Sequence, residues 1–483
     1  MSEVVFLPPR LAALGAAFDA AFETPAHDPG RARAAILPVA KTALTDARER
    51  IRAAFQGDDP NLQLDGRGCV RAASLAMDAL VSAVARYASE RVYRTANPTE
   101  GERFAVIACG GYGRGELAPA SDVDLLFLTA DRAAPRVEQI VEFTLYFLWD
   151  LGLTVGHATR SIAECVRRAK GDATIMTTLL ETRRVFGDDA LFKDFRRRYF
   201  DDALKGGEAR FIAAKLEERD VRHEKHGASR YMLEPNIKEG KGGLRDLQTL
   251  FWLAKAAYAV ETPDALVAKG VLTRSELRSL NTAHEFLTAL RCTMHYAAGR
   301  EDDRLTFDLQ TEVGRRMGFA DRAGAVAVER LLKRYFLAAK DVGDLTRVFC
   351  AAMEEAYAVD TRSLVGRVAS AFARAKSVDG FTAANGRLDE AEPGQFDRAP
   401  VEMMRIFRVA QIHGFDVHPN ALRRIRGLLP KIAMLRTDAT ANALFLEILA
   451  AREDPEAALR GMNEAGVLGR FIPEFGRVVA MAQ

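Results

Sequence analysis

The sequence predicts an α+β protein: a small mixed sheet near the N-terminal third, followed by a long and mainly helical remainder. Two short apolar runs, Phe104-Ala-Val-Ile-Ala-Cys109 and Val123-Asp-Leu-Leu-Phe-Leu128, have the length of buried strands and flank a glycine-rich turn. Apolar residues then recur at helical spacing from Ala134 to Asp150 and, with polar breaks, from about Ile162 to Tyr357. A third candidate strand, Leu153-Thr-Val-Gly-His-Ala158, returns between these helical stretches.

In chain order, residues 1–30 hold Pro8, Pro9, Pro25 and the turn-like His27-Asp28-Pro29-Gly30, which predicts an N-terminal arm. Residues 31–96 are rich in Ala, Leu, Arg and Glu at helical spacing, and Asn97-Pro98 stops them before the first strand. The helical stretch after the sheet breaks near Gly187-Asp188-Asp189, Gly206-Gly207 and Gly240 to Gly243. Between Lys376 and Pro400 the composition shifts, and Asn385-Gly386 between Phe381-Thr-Ala-Ala384 and Arg387-Leu-Asp389 signals a two-residue hairpin. Helices resume from about Val401.

Composition narrows the function classes. The 483 residues imply about three domains. Lysine and arginine number 68 against 66 acidic residues, a net charge of +2, so no overall field draws the chain to nucleic acid or anionic lipid. The five cysteines, at 69, 109, 165, 292 and 350, form neither a CxxC pair nor a disulfide framework and read as buried small side chains in a reducing cytoplasm. No apolar stretch approaches the roughly 20 residues that span a bilayer, and the N-terminus, with Glu3, Asp19 and Glu23, lacks a signal peptide's uninterrupted apolar core. The expectation is a soluble, cytoplasmic protein without a membrane partner.

The chemistry concentrates in Gly110-Gly-Tyr-Gly-Arg-Gly-Glu116 and Ser121-Asp-Val-Asp124. Glycine at 110 and 111 lets backbone N–H groups approach phosphate oxygens, and Arg114 can add a charged fork to them. Alternation along a strand points Asp122 and Asp124 the same way, where two carboxylates can hold hard divalent ions that complete their shells with triphosphate oxygens. Solvated turn residues would leave unexplained why Asp124 lies inside an apolar strand. Ser121 either binds a phosphate or caps the turn. A third acid is missing from its expected strand: Thr154 stands where one would fall, and His157, which could titrate near neutrality, lies on the opposite face.

Gly-Gly followed by Asp-x-Asp on the next strand resembles the DNA polymerase beta type of nucleotidyltransferase. The longer run from Gly110 through Leu117-Ala-Pro-Ala-Ser-Asp-Val-Asp124 resembles the PII-protein uridylyltransferase family, GlnD. A second match, Tyr231-Met-Leu-Glu-Pro-Asn-Ile-Lys238 with Gly242-Gly-Leu-Arg-Asp246-Leu-Gln-Thr-Leu-Phe-Trp252, is similar to the helical linker domain shared with glutamine synthetase adenylyltransferases. There, Lys238 and Arg245 are candidates for nucleotide contact, with an ion-paired loop anchoring helix to sheet as the alternative. The segment Pro400 to Phe415 resembles the helical lead-in of an HD phosphohydrolase domain. The one His-Asp dipeptide, His27-Asp28, reads as a turn. In that family the HD ligands and two ACT domains come after the stretch matching Phe471–Gln483, so the chain resembles a shortened form.

The resemblance implies four segments: an arm (1–30), a polymerase-beta-like nucleotidyltransferase domain with its preceding helices (31–200), a helical linker (201–345), and a helical region with a hairpin that begins an HD-type domain without its metal ligands (346–483). It implies transfer of UMP from UTP to a tyrosine of a PII nitrogen-signalling protein, with Mg²⁺, or alternatively Mn²⁺, held by Asp122 and Asp124. Gly110, Gly111, Arg114 and Ser121 would contact the nucleotide. The rivals are an adenylyltransferase acting on glutamine synthetase, a CCA-adding or poly(A)-adding enzyme, and a catalytically dead nucleotide-binding module. Near-zero net charge weighs against a nucleic-acid substrate.

Overall fold

A computed structural model describes residues 8–21, 28–59, 61–226, 232–322, 324–357, 376–384 and 386–478. The chain forms two compact units that interleave in sequence. One comprises residues 1–215, 234–238 and 281–328, and the other residues 216–233, 239–280 and 329–483. The segment limits read from the sequence near 200 and 345 do not register this interleaving, in which residues 234–238 and 281–328 group with the unit that holds the first sheet.

In the first unit, four strands are ordered β3-β2-β1-β4. Strands β1 (Phe104–Ala108) and β2 (Val123–Thr129) pair antiparallel, with Ala108 opposite Leu125. Strand β3 (Val155–Ser161) runs parallel to β2, and β4 (Arg183–Gly187) pairs antiparallel with β1. The expected mixed sheet is present. Its fourth strand lies in a stretch the sequence reads as helical, since Arg183-Arg-Val-Phe-Gly187 is a half-exposed edge and lacks the apolar run of a central strand.

Helices Pro29–Gln56, Gly66–Tyr87 and Pro135–Asp150 share one core with the sheet. Ile36, Ala40, Ala43, Ala47, Ile51 and Ala54 recur every three or four residues along the first of them, so a single stripe is buried. Asp28 caps its start through Gly30 N–H and Arg31 N–H. That gives half of the His27-Asp28 dipeptide a capping role, while His27 lies outside the described residues. The expected arm is also partly helical: Pro9–Ala12 and Leu14–Ala21 bury Leu11, Leu14 and Phe18 in the same core. Phe18, Phe127 and Phe147 are each fully buried, worth roughly 1.5–3 kcal/mol apiece relative to exposure.

One structural finding corrects the apolar-stretch expectation. The continuous helical run Gly66–Val92 is long and apolar enough to cross a membrane by length and composition. It is a core helix, burying Cys69, Val70, Met77, Leu80, Val81 and Val84. All five cysteines are buried and unpaired, as the sequence suggests.

The second unit contains helices Leu244–Tyr258 and Glu402–His413 and a four-stranded sheet ordered β5-β6-β7-β8. The expected hairpin is there: β6 (Phe381–Ala384) pairs antiparallel with β7 (Arg387–Glu390), with Gly386 at φ +74°. Residue 385 lies outside the described residues. Two further strands, β5 (Lys376–Val378) and β8 (Asp416–Val417), are too short to read from periodicity. Asp379 and Gly380, both at positive φ, form the β5–β6 turn in the manner of a primed two-residue hairpin. Phe381, Leu388, Phe396, Met403, Ile406, Phe407, Ile425 and Met462 make a separate core.

Candidate active site

Strand β1 ends in a one-turn helix, Gly110–Gly113, and β2 begins beside it, so the glycines and the two aspartates meet at one end of the sheet. Cys109 N–H donates to the Asp124 carbonyl, which fixes the turn against β2. Gly110 sits at φ +57°, and a Cβ there would lie 3.2 Å from Asp124 Oδ2. Glycine therefore serves backbone conformation and carboxylate space together. The first N–H groups of such a turn have no intrahelical acceptor.

Asp122 and Asp124 share this edge. Burial raises the Asp124 carboxyl above its ordinary value, the charge of Asp122 adds to the rise, and Lys238 draws it back down. Both side chains are open to solvent at this edge, and two like charges so placed can share a cation between them. Among the described residues no group of three or more His, Cys, Asp and Glu side chains is arranged to hold a metal. A two-carboxylate site still suits Mg²⁺, which keeps waters and takes substrate phosphates for its remaining positions.

The register explains why β3 adds no third acid. Asp124 pairs with Gly156, and a Cβ on Gly156 would come within 2.4 Å of Asp124 Oδ1. The neighbouring position on that face must stay bare to leave the carboxylate room. Thr154, before the strand, contributes its carbonyl to Val123 N–H. His157 pairs in register with Leu125 and sits edge-on against Trp149 at 5.7 Å, on the face away from Asp124.

Arg114 does not extend freely toward a ligand. Its guanidinium holds Glu116 at 2.8 Å and Glu181 at 3.3 Å, and Glu116 also meets His284 at 3.2 Å. Burial alone would raise Glu116; the charge of Arg114 and the bond from His284 outweigh it and hold the carboxyl well below the usual range. The arginine read from sequence as a phosphate fork braces the glycine turn. Arg183 braces it from β4, binding Asp78 at 2.5 and 3.0 Å while Tyr112 Oη donates to Asp78 at 2.7 Å.

Ser121 Oγ accepts from Arg291 Nη2 at 3.1 Å, and its N–H closes a turn on Ala118. Lys238 places Nζ 3.2 Å from Glu301 and 3.4 Å from Asp303. Sequence reasoning missed Arg291, His295 and Asp303, which stand behind these two. A signal existed: His284, Arg291 and His295 are spaced seven and four apart, one face of the helix Arg274–Ala298.

Arg245 belongs to the other unit. It binds Glu239 at 3.0 Å and Gln248 at 2.8 Å and lies over the Trp252 ring. Its neighbour Asp246 is fully buried, binding Arg222, His223 at 2.9 Å and Gly242 N–H at 2.7 Å. Of the two readings of Gly242-Gly-Leu-Arg-Asp246, these contacts match the ion-paired loop, with both side chains engaged inside their own unit.

A mixed sheet presenting two carboxylates beside a glycine turn, joined to helical domains, has the layout of a nucleotide-handling protein. Comparison with known proteins is specific: residues 210–350 match the model described as GlnD PII-uridylyltransferase, and residues 381–471 that described as uridylyltransferase GlnD third domain. Both matched domains are those of the GlnD uridylyltransferase family, and the chain belongs with that family over the part it spans. The bifunctional uridylyltransferase/uridylyl-removing enzyme of Azospirillum brasilense is 51% identical over 452 residues, covering 93% of this chain and 48% of that protein. The enzyme of the same name from Rhodospirillum rubrum is 48% identical over 453 residues, 93% of this chain and 47% of that protein. The chain spans about half the length of these curated relatives.

Proposed function

We propose that this chain transfers UMP from UTP to a tyrosine hydroxyl of a PII-type protein, on a nucleotidyltransferase scaffold of the polymerase-beta type. The observation that carries the reading is the Asp122–Asp124 pair beside the Gly110 turn, in a chain about half identical to enzymes named for uridylyl transfer. The tyrosine oxygen bonds to the α-phosphorus, the α–β bridging P–O bond breaks with its electrons leaving on pyrophosphate, and the phenolic proton is released.

Asp122 and Asp124 would hold Mg²⁺, or Mn²⁺ in its place. A divalent cation bound there supplies charge neutralisation at the triphosphate and lowers the pKa of the acceptor hydroxyl, which starts near 10. The protein's own part is orientation. Gly110 and Gly111 offer backbone donors to the phosphates, the braces on Arg114 and Arg183 hold that turn still, and the positive charge of Lys238 acts on Asp124.

Labelled UTP, Mg²⁺ and a PII protein test the reading, with labelled ATP and glutamine synthetase as the competing arm. Label should appear on PII from UTP alone. Asp122→Asn and Asp124→Asn should each cut transfer by about a thousandfold or more while the melting curve is retained. Undiminished transfer in either variant would remove the metal assignment, and label from ATP on glutamine synthetase would move the chain to the adenylyltransferases.

A further inference from the structure

The missing third acid has a counterpart that works at one remove. Asp303 lies within the first unit and receives three cationic or donor side chains. Arg291 Nε is 2.7 Å from Oδ1, His295 Nε2 is 3.2 Å from the same oxygen, and Lys238 Nζ is 3.4 Å from Oδ2. Arg291 and His295 reach onward to the segment that leads into Asp122. Arg291 Nη2 donates to Ser121 Oγ at 3.1 Å, and His295 Nδ1 accepts from Ala120 N–H at 3.3 Å. Lys238 carries the positive charge that acts on Asp124.

The backbone of Asp303 completes the arrangement. Its carbonyl accepts from Ile237 N–H at 2.8 Å, and Leu305 N–H donates to the Pro235 carbonyl at 2.9 Å, which ties the segment bearing Lys238 alongside residues 303–305. Because Ala120 N–H donates to His295 Nδ1, the proton of a neutral imidazole must sit on Nε2, facing Asp303. Burial alone would raise the Asp303 carboxyl; the bond from His295 and the charges of Arg291 and Lys238 hold it well below the usual range, so it stays a carboxylate. With its oxygens engaged by three side chains, it is poorly placed to ligate a metal itself.

We infer that Asp303 is a positioning residue: through His295 and Arg291 it fixes the Ala120-Ser121 backbone that presents Asp122, and it anchors the Lys238 ammonium within the same unit. The inference rests on the proposed function for its catalytic readout, and its binding readout is independent of the acceptor. Hydrogen bonds of this kind hold reacting groups within the few tenths of an ångström that transfer requires.

The test uses the full chain with Asp303→Asn, Arg291→Lys and a control, Asp302→Asn, whose carboxylate faces Arg300 instead. Arg291→Lys keeps the charge opposite Asp303 but loses the fork that also reaches Ser121, so it probes positioning without removing the Asp303 carboxylate. Mn²⁺·UTP affinity by calorimetry and kcat on a PII protein are measured at a temperature where circular dichroism shows each variant folded. Both variants should bind Mn²⁺·UTP at least threefold more weakly and lose at least tenfold in kcat, with KM for PII within threefold and the control unchanged. Wild-type affinity in both folded variants, or losses that follow only the folded fraction, would overturn the inference. A wild-type chain that binds Mn²⁺·UTP but labels no PII would defeat the proposed function and leave the binding arm to decide this one.

Discussion

Two aspartates, the buried Asp246 in one unit and the half-buried Asp303 in the other, are held by similar chemistry and lead to different places. Asp246 is bound by Arg222, His223 and Gly242 N–H; Asp303 is bound by Arg291, His295 and Lys238. Burial alone would raise both carboxyls, and in both the histidine and arginine partners bring them below the ordinary value. The partners of Asp246 end in a loop whose glycine is pressed against its own unit: Gly242 has φ +81°, and a Cβ there would come 2.1 Å from the Ala339 carbonyl. Those of Asp303 end at Ser121 and Ala120, just before Asp122. A similar arginine–histidine clasp thus pins a fold in one place and aims a site in the other, and what distinguishes them is the next contact outward.

The sharpest way to break this comparison is to remove the structural member. Asp246→Ala leaves Arg222 buried against an empty position, and breaking such a pair costs about 3–5 kcal/mol. Urea unfolding should show that loss, and any fall in transfer should match the folded fraction. A folded Asp246→Ala protein of normal stability but without activity would place Asp246 in the site and erase the distinction.

Sequence alone carried part of this. The Asp122–Asp124 pair and its glycine turn were legible because strand alternation and turn chemistry are local. The same holds for the hairpin at Arg387, where a two-residue turn signal sits between short strands. Asp303 was not legible: it lies in a charged stretch, Arg300-Glu-Asp-Asp-Arg304, indistinguishable by pattern from a solvated turn. Only long-range packing sets Asp303 beside Arg291 and His295 on a helix and links both to residues 170 or more positions earlier. Arg114 shows the opposite case. Its place in a phosphate-like turn suggested a ligand, and its real partners, Glu116 and Glu181, include one 67 residues away.

A smaller effect should come from Gly156, which separates crowding at the site from loss of the network behind it. In Gly156→Ala the new methyl would press on Asp124 Oδ1, displacing the carboxylate by about 1 Å without touching Asp303. Transfer should fall about 10- to 100-fold, consistent with the cost of small misplacements. The hydrogen-exchange protection of Ala120 N–H, bonded to His295, should not change. If that amide also loses protection, the carboxylate edge and the Asp303 network move together and cannot be treated as layers.

Acid provides the least disruptive comparison. Both aspartates have folded-state pKa values depressed below the unfolded reference of about 3.9, so each contributes stability that is fully present above that value and is lost as pH falls through the folded value. Each unit of depression corresponds to about 1.4 kcal/mol. Stability measured by urea midpoint should therefore be flat above roughly pH 5 as far as these two groups are concerned and decline below about pH 4. Asp246→Asn and Asp303→Asn should each start from a lower neutral-pH midpoint and show a shallower acid decline, converging on the wild type as the carboxylates protonate. Only Asp303→Asn should in addition weaken Mn²⁺·UTP binding at pH 7, where both variants are compared fully folded. Equal binding losses in the two variants would mean that the loop around Gly242 is coupled to the site after all, and the division between a pin for the fold and a brace for the chemistry would fail.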